Sequence, residues 1–85
     1  MGEELVGKVV KYFSEPNVAA VEITSGILRI GDTIRIKGHT TDFEETVDSM
    51  QIEKESIEEA QQGYLVGIKV KDRVREGDQV FKVDA

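Results

Sequence analysis

Eighty-five residues, 39% hydrophobic and 33% charged, with a formal net charge of −6 and no cysteine, describe one small domain. A chain of this size buries roughly 60% of the surface it exposes when unfolded, which leaves little room for a deep catalytic cleft. The missing cysteines exclude disulfides, thiolate nucleophiles and Cys-x-x-Cys zinc sites, and they fit a cytoplasmic protein.

The opening segment, Met1-Gly-Glu-Glu-Leu-Val6, is acidic where a signal peptide would be basic, and no apolar run reaches the roughly 20 residues that span a bilayer. Neither export nor a membrane partner is expected. Valine and isoleucine outnumber leucine and alanine by 19 to 7, and β-branched side chains fit a pleated surface better than a helix. Glycines at Gly26, Gly31, Gly38, Gly63 and Gly77 divide the chain into strand-sized pieces.

Alternation between those marks predicts strands at about Leu5 to Phe13, Val18 to Thr24 and Ile27 to Ile30, with Pro16 in the first connection. Thr33 to Lys37 is the clearest strand: Ile34 and Ile36 point one way, Arg35 and Lys37 the other. A strand from about Glu44 to Glu53 follows, its broken period at Val47, Met50 and Ile52 suggesting a β-bulge near Asp48 and Ser49. Ser56-Ile-Glu-Glu59 matches a capping box, so one short helical turn is expected there, ended by Gly63. Tyr64 to Val70 and Gln79 to Val83 complete about seven strands. The expected fold is all-β: residues 1–85 as a single small closed antiparallel β-barrel, closure removing exposed edges, with no internal repeat.

Charge is uneven. Residues 42–59 hold eight acids against the single base Lys54, and Glu53, Glu55, Glu58 and Glu59 form an acidic lobe suited to a partner. The remainder carries nine acids and ten bases, so non-specific nucleic-acid affinity should be weak. Lys69, Lys71, Arg73 and Arg75 share one parity and would line up if their strand continued, as a solvated face or as an anion or partner contact.

No Gly-x-x-x-x-Gly-Lys-Ser/Thr loop is present, so no nucleotide is expected to bind. His39, the only histidine, sits in a polar loop segment, and Glu44 and Glu45 are strand neighbours that face opposite sides. No catalytic constellation, metal site or cofactor is expected, and the chain is read as a non-enzyme. The five aromatics are too few to build a broad stacking platform and are read mostly as core.

Two stretches carry a resemblance. Ser25-Gly-Ile-Leu-Arg-Ile-Gly-Asp-Thr-Ile-Arg-Ile36, then Val47 to Ala60 and Gly63-Tyr-Leu-Val-Gly-Ile-Lys-Val70, resemble the second domain of the elongation factor Tu and elongation factor 1-alpha group, a β-barrel. The resemblance implies a translation-type binding module that contacts the acceptor end of transfer RNA, or a ribosome- or translation-associated protein, without its own GTPase. By motif position the pocket would involve Gly26, Ile30, Gln51 and Gly67; Gln51 stands where many members have glutamate. The front half, Gly7-Lys-Val-Val-Lys-Tyr12, Ala20-Val-Glu22 and Gly31 to Gly38, is similar to the C-terminal barrel of collagenase-like peptidases and their RNA-modifying relatives. That similarity implies the alternative, an accessory module acting in trans on a separate enzyme subunit.

Overall fold

The computed structural model describes residues 2–84; Met1 of the acidic opening segment lies outside them. Ten strands succeed one another: β1 (Gly2–Phe13), β2 (Val18–Ile23), β3 (Ile27–Arg29), β4 (Thr33–Lys37), β5 (Asp42–Thr46), β6 (Met50–Ile52), β7 (Glu55–Ile57), β8 (Glu59–Gln61), β9 (Leu65–Lys69) and β10 (Gln79–Asp84). Eight of them form one antiparallel sheet in the order β5-β4-β10-β1-β2-β9-β6-β7, and β3 pairs with β8 in a second ladder. Both wrap one core that includes Val6, Val21, Leu28, Ile34, Ile36, Met50, Ile68 and Val80, all within 1% of complete burial. As period two demands, Ile34 and Ile36 face inward while Arg35 and Lys37 are partly or fully exposed.

Three expectations are corrected. The hydrogen bonding does not close a barrel, because β5 and β7 end the sheet without pairing to each other. Val47, Val70 and Val74 are buried although none lies in a strand, so irregular backbone also contributes to the core. Nor does one bulged strand cover residues 44 to 53. Val47 still follows the β4–β5 register, its N–H donating to the Asp32 carbonyl and its carbonyl accepting the Gly31 N–H, both at 2.8 Å, and only beyond it does the chain cross to β6 on the far side of the sheet. The bulges lie in β1 instead, between Leu5 and Gly7 and between Val9 and Lys11.

The helical turn is absent as well. Ser56 sits opposite Gln51 in a hairpin whose two-residue turn, Glu53 (φ 50) and Lys54 (φ 69), holds both residues left-handed, as a type I′ turn needs. The Ser-x-x-Glu signal is local, and strand pairing through Met50↔Ile57 and Leu28↔Ala60 overrides it. Gly63 (φ 94) sits in the β8–β9 turn rather than ending a helix, and its N–H donates to the Ile23 carbonyl.

One local turn is used twice. Arg29–Asp32 and Arg75–Asp78 are the same turn: each Asp N–H donates to its Arg carbonyl at 3.1 Å, and each Asp Oδ2 accepts that Arg N–H at 2.8 Å. The intervening Gly31 (φ 95) and Gly77 (φ 91) supply the positive φ of a type II turn. Each glycine N–H donates to a buried valine, Val47 or Val9, whose own N–H returns to the Asp carbonyl, all at 2.8 Å. These twin turns launch β4 and β10, which lie side by side.

Along the seam beside β5 one side chain crosses to the loop after β9: the Glu45 carboxylate accepts the Lys71 N–H at 2.9 Å. Burial is the main influence raising the Glu45 pKa above the usual carboxylate range; the Lys71 bond and charge oppose it, and Asp48 and Asp72 add to it. A carboxyl with a raised folded pKa costs stability once pH climbs past its ordinary value. Glu45→Gln keeps an oxygen for Lys71 and removes the charge. It should raise the melting midpoint at neutral pH only slightly, by about 1–2 °C, because solvent screens a carboxyl that is only partly buried. Below the ordinary carboxylate range the gain should vanish, because Glu45 is then neutral too; thermal melts at both pH values check this.

Candidate functional site

The register places one row of small and polar side chains across the outside of five strands. Lys11 of β1 is opposite Ala20 of β2, Ala20 opposite Gly67 of β9, Gly67 opposite Gln51 of β6, and Gln51 opposite Ser56 of β7. Their strand neighbours Ala19, Val66, Ile68 and Met50 are buried, so this row faces outward. With a methyl at Ala20 and nothing at Gly67, the row is a shallow floor.

One flank of that floor is Phe13↔Val18↔Lys69, the next outward row. Phe13 is 44% exposed and carries the Lys11 ammonium 5.2 Å from its ring centre. The other flank is Lys8↔Glu22↔Leu65, where Leu65 is 56% exposed and Lys8 lies 3.9 Å from Glu22. The space above Gly67 is tight, since a Cβ there would come within 3.2 Å of Val18 Cγ1 and that side chain would have to shift by a few tenths of an ångström.

Of the expected pocket residues, Gln51 and Gly67 are therefore register partners on one face, and Lys69 joins them from the expected basic set. Ile30 lies elsewhere, in a groove of about 450 Å³ with Arg29, Glu58 and Glu59, its N–H bonded to the Glu58 carbonyl at 3.1 Å. Gly26 (φ 71) lies beside β1, where an added Cβ would meet Glu4 Oε1 and Val6 Cγ1 and not Gln51.

The basic line is corrected: β9 stops at Lys69, the chain turns, and Lys71, Arg73 and Arg75 do not continue one face. Lys71 turns toward the Phe43 ring, Arg73 lines a groove with Asp42, Phe43 and Asp72, and Arg75 opens a twin turn. In the acidic lobe Glu53 occupies the hairpin tip, Glu55 lies on β7, Glu58 in the bend and Glu59 on β8. Glu59 is held by Arg29 Nε at 2.9 Å and by the Gln61 amide at 3.2 Å, which keep its carboxyl below the usual range. Lys11, Phe13, Val18 and Ala20 escape sequence reasoning, because only the β1–β2–β9 register reveals that they surround Gly67. Among the described residues no group of three or more His, Asp or Glu side chains is placed to hold a metal ion, and no helix is long and apolar enough to cross a membrane.

Comparison with known proteins agrees with this architecture. The chain is 42% identical over 80 residues to a collagenase of Porphyromonas gingivalis and 46% identical over 77 residues to an uncharacterized protease of Methanocaldococcus jannaschii, covering 93% and 89% of this chain. It spans only 22% and 19% of those proteins. Among solved structures it resembles the C-terminal domain of a Geobacillus thermoleovorans protein described as a U32 peptidase, with TM-score 0.88 and 23% identity over 95% of this chain and 93% of that one. GDP-bound aIF5B from Aeropyrum pernix shares the fold at TM-score 0.63 and 21% identity, over 94% of this chain and 14% of that one. Residues 17–81, from the turn before β2 to the middle of β10, match the family described as elongation factor Tu domain 2, and the chain belongs to that family.

Proposed function

We propose that this domain is a non-catalytic binding module of translation-factor type whose outer face takes the acceptor end of a transfer RNA. The observation that carries the reading is the Ala20–Gly67 floor, with Gln51 at one end, Lys11 at the other, and Phe13 and Lys69 along one flank. Each part has a chemical use. An exposed phenyl ring stacks on a base, ammonium groups meet phosphates, a glutamine amide both donates and accepts, and a glycine admits a backbone or ligand at close range. The family match supports the same reading.

The test is fluorescence anisotropy of labelled transfer RNA across a salt series. Affinity should fall steeply with salt, Lys11→Gln and Lys69→Gln should each flatten the slope, and Phe13→Ala should weaken binding by about 1–3 kcal/mol, the worth of one stacked base. Gln51→Ala should also weaken it without touching the fold, since Gln51 is exposed. No measurable binding at about 150 mM salt would remove this reading.

A second reading has its own support: most of a separately solved peptidase C-terminal domain superposes on the chain, and the identities of 42–46% fall on relatives named collagenase and protease. On this reading the domain is an accessory module for a peptidase-like, RNA-modifying protein, contacting it through Glu53, Glu55 and Glu58, none of which has an ion-pair partner among the described residues. Reversing those three charges to lysine should then abolish co-purification with that enzyme and leave transfer-RNA binding intact.

A further inference from the structure

We propose that β5 is a docking edge for an extended basic segment of a partner protein, which adds to the sheet as one more strand. The surface is separate from the Gly67 floor and from the acidic lobe beside β7, and the inference depends on neither.

The phase of the β4–β5 ladder shows which backbone groups are available. Gly38 N–H donates to the Thr41 carbonyl at 2.7 Å, and Val47 N–H donates to the Asp32 carbonyl at 2.8 Å. Bonded pairs in an antiparallel ladder recur every second residue, so between those two fall Ile36↔Phe43 and Ile34↔Glu45. The pairs Lys37↔Asp42, Arg35↔Glu44 and Thr33↔Thr46 are the non-bonded ones. Asp42, Glu44 and Thr46 therefore aim their N–H and C=O groups away from β4, and among the described residues no strand lies beyond β5. This is the geometry in which an added strand obtains its main-chain bonds.

Room for that strand is present. An open groove of about 480 Å³ runs along Thr33, Glu44, Glu45, Thr46, Asp48 and Lys71. A second groove, of about 260 Å³, lies beside Asp42 and Phe43 with Asp72 and Arg73 also lining it. Between β5 and the loop after β9 the described contacts are Glu45 to the Lys71 N–H and the Lys71 ammonium 6.0 Å from the Phe43 ring.

Charge selects the occupant. Asp42 is neutralised by Arg35, whose Nε and Nη2 donate to it at 2.7 and 2.9 Å. Glu44 has no ion-pair partner among the described residues, and Asp48 lines the same groove. A second copy of β5 laid antiparallel about its centre would set Glu44 against Glu44, and like charges directly opposite repel. A segment with lysine or arginine at alternate positions places a cation opposite Glu44.

The experiment titrates the isotopically labelled domain with a synthetic peptide of alternating lysine and valine, with the same peptide N-methylated on alternate amides, and with a single-stranded RNA oligonucleotide. The amide signals of Asp42, Glu44 and Thr46 should shift with the first peptide. N-methylation, which keeps the charge and removes the strand-pairing donors, should weaken binding about tenfold, as loss of one or two hydrogen bonds implies. Glu44→Lys should weaken it similarly, and so should Thr46→Pro, which deletes an outward N–H on an edge strand where proline is tolerated. The proposal is overturned if no peptide binds, if N-methylation leaves affinity unchanged, if the shifts map to β7, or if RNA rather than peptide moves the β5 signals.

Discussion

Gly7→Ala is expected to lower stability by on the order of 3 kcal/mol and the melting midpoint by about 15 °C. Gly7 is buried at the first bulge of β1, paired with Val80 on one side and Ile23 on the other. A Cβ there would collide with the Glu22 backbone carbonyl and come within 3.0 Å of Val21 Cγ1. Neither neighbour is the free end of a flexible side chain: the carbonyl belongs to β2, held on both sides by β1 and β9. Relief requires shifting the central strands. A domain of this length has a total stability on the order of 4–13 kcal/mol, so the loss takes a large share of it. Circular dichroism melts of the two proteins decide the matter, and a drop below about 1 kcal/mol would mean that the bulge absorbs a methyl freely.

Leu28→Ala should cost about 2–5 kcal/mol by creating a cavity, with the spread set by how far the site collapses. Leu28 is fully buried on β3 opposite fully buried Ala60 on β8, and this pair fastens the two-stranded ladder to the core. Its neighbour Arg29 reaches Glu59 from the same ladder. The substitution should therefore loosen the groove that holds Ile30 before it disturbs the larger sheet. Hydrogen exchange distinguishes the two regions: protection at Ile30, whose N–H donates to Glu58, should fall further than at Val21 in β2.

Much of this architecture is legible in the amino-acid order, and the rest is illegible for identifiable reasons. Thr33 to Lys37 declares itself because one face is isoleucine and the other is charged, and its observed limits are those expected. The second strand announces itself through the same period, whereas the first is legible although two bulges interrupt it. The segment from Glu44 to Glu59 misleads because its decisive bonds are distant: Val47 is drawn to Asp32, Ser56 is set by Gln51 and Ala60 by Leu28. A capping-box pattern reports only what four consecutive residues can do alone. The twin Arg-x-Gly-Asp turns stand in plain view in the sequence, yet their equivalence rests on hydrogen bonds to Val9 and Val47 that no short window contains. The floor around Gly67 is half legible. Gln51 and Gly67 follow from a family likeness, whereas Phe13, Lys11 and Ala20 reach it only through pairing across β1, β2 and β9.

The pairing of β1 with β10 runs out to Gly2 opposite Asp84, so the described chain enters and leaves at adjacent points. Splicing the two ends through a short bridge and reopening the loop at Glu53 and Lys54 would give a circular permutant with the same set of strand partners, since closing so small a gap adds little entropic cost. The same nearness lets such a unit be grafted onto an unrelated polypeptide, or cut away from it, while its own interior stays whole.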